Sequence, residues 1–297
     1  FRWRSSKMRH IFIVNKHSNL NKTSKRIEEI KDICSSLAVD YVIYFVDNQS
    51  EIAEIAGRFK YEECTIYAVG GDGTVNHLLN AIMGGKASLG LIPFGSGNSL
   101  YQTLKEKEES VIDCNVMKIN DRYCLNYFSV GVEALVTKRF EQLKNLGFPA
   151  SYAYKLAIIH TIYKYNTTSV LIKADGRNYY SSDMSFVAVC NGKYCGLDKK
   201  IAPCADIASP NAIVYLGGKL SMFAIPDFLG NLAKGTLEQK YALEKKNAKN
   251  IEIIAKNSLI ANIDGEIIED THFDIDAAAG KIKVVQPTQI LELIRKK

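Results

Sequence analysis

No apolar stretch in this chain approaches the roughly 20 residues of a membrane-spanning helix, and its first residues lack the apolar core of a secretory signal. A soluble, intracellular protein is expected. There is no C-x-x-C pair, and the five histidines show no metal-ligand spacing. The seven cysteines (Cys34, Cys64, Cys114, Cys124, Cys190, Cys195 and Cys204) are an odd number, mostly inside apolar runs, and read as reduced core residues. No internal repeat or low-complexity segment stands out. Charge of one sign is also scarce: the net charge is +6, with Lys and Arg spread along the chain and concentrated only at Arg2, Arg4, Lys7 and Arg9 and at Arg295, Lys296 and Lys297. That balance gives no support to nucleic acid as a partner, and it suits polyphosphate or an anionic membrane face.

What is present is enough apolar material for a sizeable core, 47% of 297 residues, and enough length for two domains. From residue 8 to about 112, strands at 11–14, 41–46, 65–69 and 89–93 alternate with helical patterns at 24–38, 51–59 and 75–83. This is the texture of βα units in a parallel sheet, with Ser24 and Ser50 standing where N-caps would. Beyond Asp113, short strands rich in Val, Ile, Tyr and Phe alternate with Asn, Asp and Gly. We place them at 116–119, 122–127, 169–174, 178–190, 212–216, 241–246, 250–254, 259–263 and 281–285, with Asp175-Gly176 and Asp264-Gly265 as hairpin turns. Helices are expected at 151–165, 225–233 and, after Pro287, at 289–295, the last returning to the first domain. The fold class is therefore α/β plus β: a doubly wound α/β nucleotide-binding domain (8–113 with 286–297), then an antiparallel β-sandwich (114–285). Residues 1–7 read as an expression remnant ahead of Met8.

Two glycine-rich corners carry the chemistry. Gly70-Gly71-Asp72-Gly73-Thr74-Val75-Asn76 follows the apolar run 65–69, and Gly95-Ser96-Gly97-Asn98 follows 89–94. Glycines let backbone N–H groups approach an anion, and a helix starting after the turn aims its unpaired amides at the same point. Such turns also serve as mere connections, but two at adjacent strand ends suggest one crevice at the carboxyl edge of a parallel sheet. Asp72, a carboxylate beside phosphate, implies a divalent cation.

Together these strings resemble the diacylglycerol kinase and sphingosine kinase-like lipid kinases in their bacterial form. Later segments agree in order: residues 126–134 resemble N-x-x-G-x-G-x-D-A, 147–152 resemble G-x-x-x-Y, and Asn191-Gly192-Lys193-Tyr194-Cys195-Gly196 resembles N-G-x-x-x-G. Residues 201–205 and the Asp264-Gly265-Glu266 turn complete the series, so the likeness spans nearly the whole chain. The Gly-Gly-Asp-Gly-Thr turn by itself is shared with NAD kinases and phosphofructokinases. Departures from the pattern are Lys16 and Asn19 in the N-P-x-S-G loop, His77 for Glu, Ser99 for Asp, Gln102 for Arg, Glu133 for Asp, and Ser209-Pro210 for an Asp-Gly tied to an accessory Mg²⁺ site.

The resemblance implies ATP held between the two domains, Mg²⁺, and phosphoryl transfer to a lipid alcohol such as diacylglycerol, as in phospholipid biosynthesis. It implies phosphate binding by backbone at Gly70, Gly71, Gly73, Thr74 and Gly97, with side chains of Asn76, Ser96 and Asn98 and, from the first-strand loop, Asn15 and Ser18. Asp72 would organise Mg²⁺, Glu266 would be the general base, and Asp264 would support it. Helix 151–165 with Tyr163, Tyr165, Tyr179 and Tyr180 reads first as ordinary sandwich core; the alternative assignment is that they line a lipid groove or touch a membrane interface. The expected setting is cytoplasmic with peripheral membrane contact, and a homodimer is left open. Two alternatives stand beside the lipid kinase: a kinase for a soluble acceptor, as NAD kinases are, and a nucleotide-binding regulator that has lost transfer.

Overall fold

The computed structural model describes residues 9–16, 23–36, 39–95, 98–164, 167–195, 199–241 and 243–286. The chain divides into two compact units, Phe1–Cys114 with Gly280–Lys297, and Asn115–Ala279.

In the first unit, strands β1 (Arg9–Asn15), β2 (Tyr41–Val46), β3 (Cys64–Gly70) and β4 (Ser88–Pro93) pair in the order β2-β1-β3-β4, all parallel. β3 is buried from end to end, as a strand covered on both faces must be. Helix α1 (Thr23–Ser36) sets Ile27, Ile30 and Cys34 on a cluster with Phe12, Val14, Tyr67, Val69 and Ile92. Alternate residues Ile11, Ile13, Ile66 and Ala68 are buried on the opposite face. Helices α2 (Gln49–Phe59) and α3 (Asp72–Ile82) pack against each other, and α3 lies against β3 and β4. This is the doubly wound arrangement expected. Ser50 is not the N-cap of α2: Asn48 is, its Oδ1 accepting the Glu51 N–H at 3.0 Å. Ser24 likewise lies inside α1. A short helix α4 (Ser99–Leu104), which the sequence reading missed, follows β4 and buries Leu100, Thr103 and Leu104. The expected helix at 289–295 lies outside the described residues.

The second unit is antiparallel. Strands β7 (Tyr127–Gly131), β10 (Phe186–Cys190), β13 (Ala212–Gly217) and β14 (Glu244–Ala248) pair in the order β14-β13-β10-β7. Strand β15 (Asn250–Ile263) continues the order, pairing with β7 at 261–263 and with β8 (Thr168–Ala174) at 251–255. Its pairing with β16 (Glu266–Val285) shifts register between Ile254 and Leu259, so the two strands expected at 250–254 and 259–263 are one. Alternation divides each strand between two cores. Phe128, Val130, Val187, Val189, Val214 and Leu216 face the sandwich interior, while Tyr127, Phe186, Ala188, Ile213 and Tyr215 face the helices. Those helices are α5 (Val132–Asn145), α6 (Ala150–Lys164) and α7 (Ile225–Lys234). The expected strand at 178–190 is two strands, β9 (Arg177–Met184) and β10. Likewise 122–127 is divided into β6 (Arg122–Cys124) and β7, because the amides of residues 125–127 turn toward a carboxylate described below. All seven cysteines are free, and all but Cys204 are buried.

Candidate active site

The β3–α3 corner presents a helix N-terminus without a side-chain cap, a geometry that can receive an anion. Gly71 caps α3 without any side-chain hydrogen bond, so the first-turn amides that a helix cannot satisfy internally are not closed by a cap. A Cβ on Gly70 would run into the Thr74 side chain, which sets that residue's identity. Three hydrogen bonds tie this corner to its neighbours. Asn15, the last residue of β1, donates through Nδ2 to Thr74 Oγ1 at 3.3 Å. Phe94, just past β4, donates its N–H to the Gly70 carbonyl at 2.9 Å. Asp72 accepts from Ser99 twice, the backbone N–H reaching Oδ1 at 2.8 Å and the hydroxyl reaching Oδ2 at 3.0 Å. The chain leaves β1 for β2 on one side and returns to β3 on the other, so the corner lies at the point where the strand order reverses, where open α/β sheets bind ligands.

Not every predicted contact residue points outward. Asn98 closes its own loop, its Oδ1 accepting from Gly95 N–H at 3.2 Å and its Nδ2 donating to the Gly95 carbonyl at 3.1 Å. Asn76 is buried, and its Oδ1 accepts from Asn80 Nδ2 at 3.1 Å. His77, which stands where the family pattern has Glu, is half-buried. Ser18, Ser96 and Gly97 lie outside the described residues. Among the described residues no group of three His, Cys, Asp or Glu side chains is placed to hold a metal. Asp72 could hold Mg²⁺ as one ligand among waters and phosphate oxygens, which is how Mg²⁺ is commonly bound. A cation completed by substrate phosphates fits this donor set.

In the second unit, Asp264 and Gly265 both adopt positive φ, 48° and 97°, and join Ile263 to Glu266 in a two-residue hairpin. The Asp264 carboxylate is buried and accepts three backbone N–H groups, Leu125 at 2.7 Å, Asn126 at 3.0 Å and Tyr127 at 2.9 Å. Burial pushes its carboxyl above the ordinary value, while these amides pull it down. The hairpin is held again from below. Asn262 Oδ1 accepts the Gly265 N–H at 2.8 Å, and its Nδ2 donates to Tyr127 Oη at 2.7 Å and to Glu133 Oε2 at 3.3 Å. Glu133 is 1% exposed, and it also accepts from the hydroxyls of Ser129 and Thr137. Glu266, first residue of β16, is half-buried.

Sequence reasoning recorded Ser99 and Glu133 only as departures from a pattern, and it missed Tyr127 and Asn262. A carboxylate in the apolar string Val132-Glu133-Ala134-Leu135-Val136 was the available signal, since such a group must find hydrogen-bond donors when buried.

Comparison with known proteins gives matches to both units. The family described as "Diacylglycerol kinase catalytic domain" matches residues 9–122, and the "YegS C-terminal NAD kinase beta sandwich-like domain" matches residues 126–286. A protein of Staphylococcus carnosus (strain TM300) named "Putative lipid kinase" is 23% identical over 290 residues, covering 88% of this chain and 91% of that protein. Another protein named as a putative lipid kinase, from Staphylococcus aureus (strain bovine RF122 / ET3-1), is 23% identical over 298 residues, covering 93% of this chain and 96% of that protein. The crystal structure of a "putative diacylglycerol kinase" from Bacillus anthracis str. Sterne shares the fold, with a TM-score of 0.73 at 19% identity over 96% of this chain and 98% of that one. With both domains matched in order, the chain belongs to the kinase family defined by the diacylglycerol kinase catalytic domain joined to a YegS-type C-terminal sandwich.

Proposed function

We propose that the protein is an ATP- and Mg²⁺-dependent lipid kinase that transfers the γ-phosphate to the hydroxyl of diacylglycerol or a related lipid alcohol. The observation that carries this reading is the glycine corner at the end of β3: a helix N-terminus without a side-chain cap, beside a carboxylate fixed by two hydrogen bonds from Ser99. Phosphoryl transfer asks a protein mainly for position and charge stabilisation. The amides of Gly73 and Thr74 bind phosphate oxygens, with Asn15 holding Thr74 in place. Asp72 would hold the cation, which when bound would supply neutralisation of charge on the phosphates. Glu266 accepts the proton of the attacking hydroxyl as the new O–P bond forms and the bond to the departing ADP oxygen breaks. Asp264, whose carboxylate is engaged by three amides, positions the turn that presents Glu266. The curated relatives named as lipid kinases support the choice of acceptor class.

The test is transfer of label from γ-labelled ATP, with Mg²⁺, to mixed micelles of diacylglycerol, monoacylglycerol, sphingoid base or polyprenol. Label in the organic phase is expected. Label only in an aqueous acceptor would indicate a soluble substrate, and nucleotide binding without transfer to any acceptor would indicate a regulator.

A further inference from the structure

Helix α6 has two apolar sides, and the unit covers one of them. Ala153 and Ala157 are fully buried, and Tyr154, Ile158 and Ile162 pack partly buried against the core beneath. On the other side Tyr152, Leu156, Ile159 and Tyr163 recur at intervals of four, three and four residues, which aligns them along one face. They are 64%, 41%, 51% and 82% exposed. Phe148, in the turn before the helix, is exposed, and so is Phe223, in the 3₁₀ turn Met222–Ala224 that packs against α6. A helix that is apolar all round is ordinarily covered all round. An exposed surface of this kind, aromatic and contiguous, marks a site of interaction.

The charge around it selects the partner. No Asp or Glu occurs between Glu141 and Asp175, or between Asp206 and Asp227, whereas Lys144, Lys155, Lys164 and Lys219 fall in those segments. Lys155 is exposed one turn before Ile159, and Lys219 is exposed four residues before Phe223. Asp227, which ends the second segment, is neutralised by Lys240 at 2.8 Å and accepts from Tyr241 Oη at 2.7 Å. Aromatic and aliphatic side chains flanked by lysines, with no acidic residue among them, are the composition of a helix that lies in the plane of an anionic bilayer. No helix among the described residues is long and apolar enough to cross a membrane.

We propose that this face of α6, with Phe148 and Phe223, seats the protein on an anionic phospholipid surface, the rings and aliphatic chains entering the headgroup boundary and Lys155 and Lys219 meeting lipid phosphates. The proposal stands apart from the kinase reading, because docking can be measured without nucleotide or turnover.

The experiment is flotation of the full chain, without ATP, with phosphatidylcholine vesicles that contain or lack phosphatidylglycerol. Binding to the anionic vesicles at least about tenfold tighter than to neutral ones, and weakened by salt, is expected. Ile159→Asp and Phe223→Ser should each reduce that binding by about tenfold or more, because each removes apolar area from the interface. Tyr163→Ser, at the most exposed position of the helix stripe, serves in place of either variant if one fails to fold by circular dichroism. Absence of wild-type binding, or unchanged binding in the folded variants, overturns the proposal. So does a shift from dimer to monomer in the variants by light scattering with vesicle binding intact, which would make a second copy of the chain the occupant of this face.

Discussion

Ser99 holds both oxygens of Asp72, one through its backbone N–H at 2.8 Å and the other through its hydroxyl at 3.0 Å. A carboxylate so fixed cannot rotate freely, and the first residue of α4 thereby sets the direction in which Asp72 presents its remaining lone pairs. Ser99→Ala keeps the backbone bond and removes the hydroxyl. We expect turnover to fall by about three- to tenfold, the effect of losing one neutral donor to a charged acceptor. Asp72→Ala should cost about a hundredfold or more through lost charge stabilisation. A Ser99→Ala enzyme as impaired as Asp72→Ala would show that the hydroxyl does more than orient.

Asp264 and Glu266 sit on the same turn but should separate by experiment. Asp264→Ala leaves three buried amides without an acceptor and should lower the unfolding free energy by about 2–4 kcal/mol, visible in urea denaturation. Glu266→Gln, at a half-buried strand end, should change stability by less than about 0.5 kcal/mol while turnover falls about a hundredfold. Equal stability loss in both variants would remove the division of labour between them.

Asn262 links the buried Glu133 to the Gly265 amide, and its loss should act through Glu266. Asn262→Ala is expected to reduce turnover by about tenfold with little change in the KM for ATP, along with a stability loss of about 1–3 kcal/mol. Asn262→Asp, which retains an acceptor for Gly265 but faces Glu133 with a like charge, should be no better. A variant with altered ATP KM and normal turnover would place Asn262 in nucleotide binding instead.

Much of this was legible in the sequence where local signals agreed with the fold. The run 65–69 and the glycines after it read correctly as a buried strand entering a helix, because continuous apolar character and an abrupt glycine turn have few other solutions. Asp264-Gly265 read correctly as a hairpin because both positions need positive φ. β16 was recognised only at its end. Its string Ala277-Ala278-Ala279-Gly280 has little strand propensity, and the strand is specified by register with β15, from Ile263↔Glu266 to Asn250↔Asp276. α5 was missed although Val132, Val136, Phe140 and Leu143 lie on one face; its apolar first residues follow directly on strand β7, whose last residue, Gly131, is also the helix N-cap. Nothing local to residue 99 or 133 indicated their partners, since Asp72 is 27 positions from Ser99 and Asn262 is 129 from Glu133.

His10 offers a pH test of the first unit. Burial pushes it down to about 4, against the opposing pull of Asp40, and its Nδ1 lies 3.1 Å from Tyr67 Oη. Because the folded state disfavours the imidazolium, the unfolded chain binds the extra proton first. Stability is fully present above the ordinary value of 6.5 and is lost as pH falls toward about 4. His10→Gln should flatten the stability profile between those limits, and an unchanged slope would show that other groups govern acid unfolding.

Asp72 and Glu266 are proposed to serve one phosphoryl transfer, and a double-mutant cycle on turnover tests this most directly. Groups acting as a unit are strongly non-additive. Each of Asp72→Ala and Glu266→Gln should lose about a hundredfold, and the double variant should be within about tenfold of the weaker single. Near-normal turnover in either folded single variant, or losses that simply multiply, would contradict the claim.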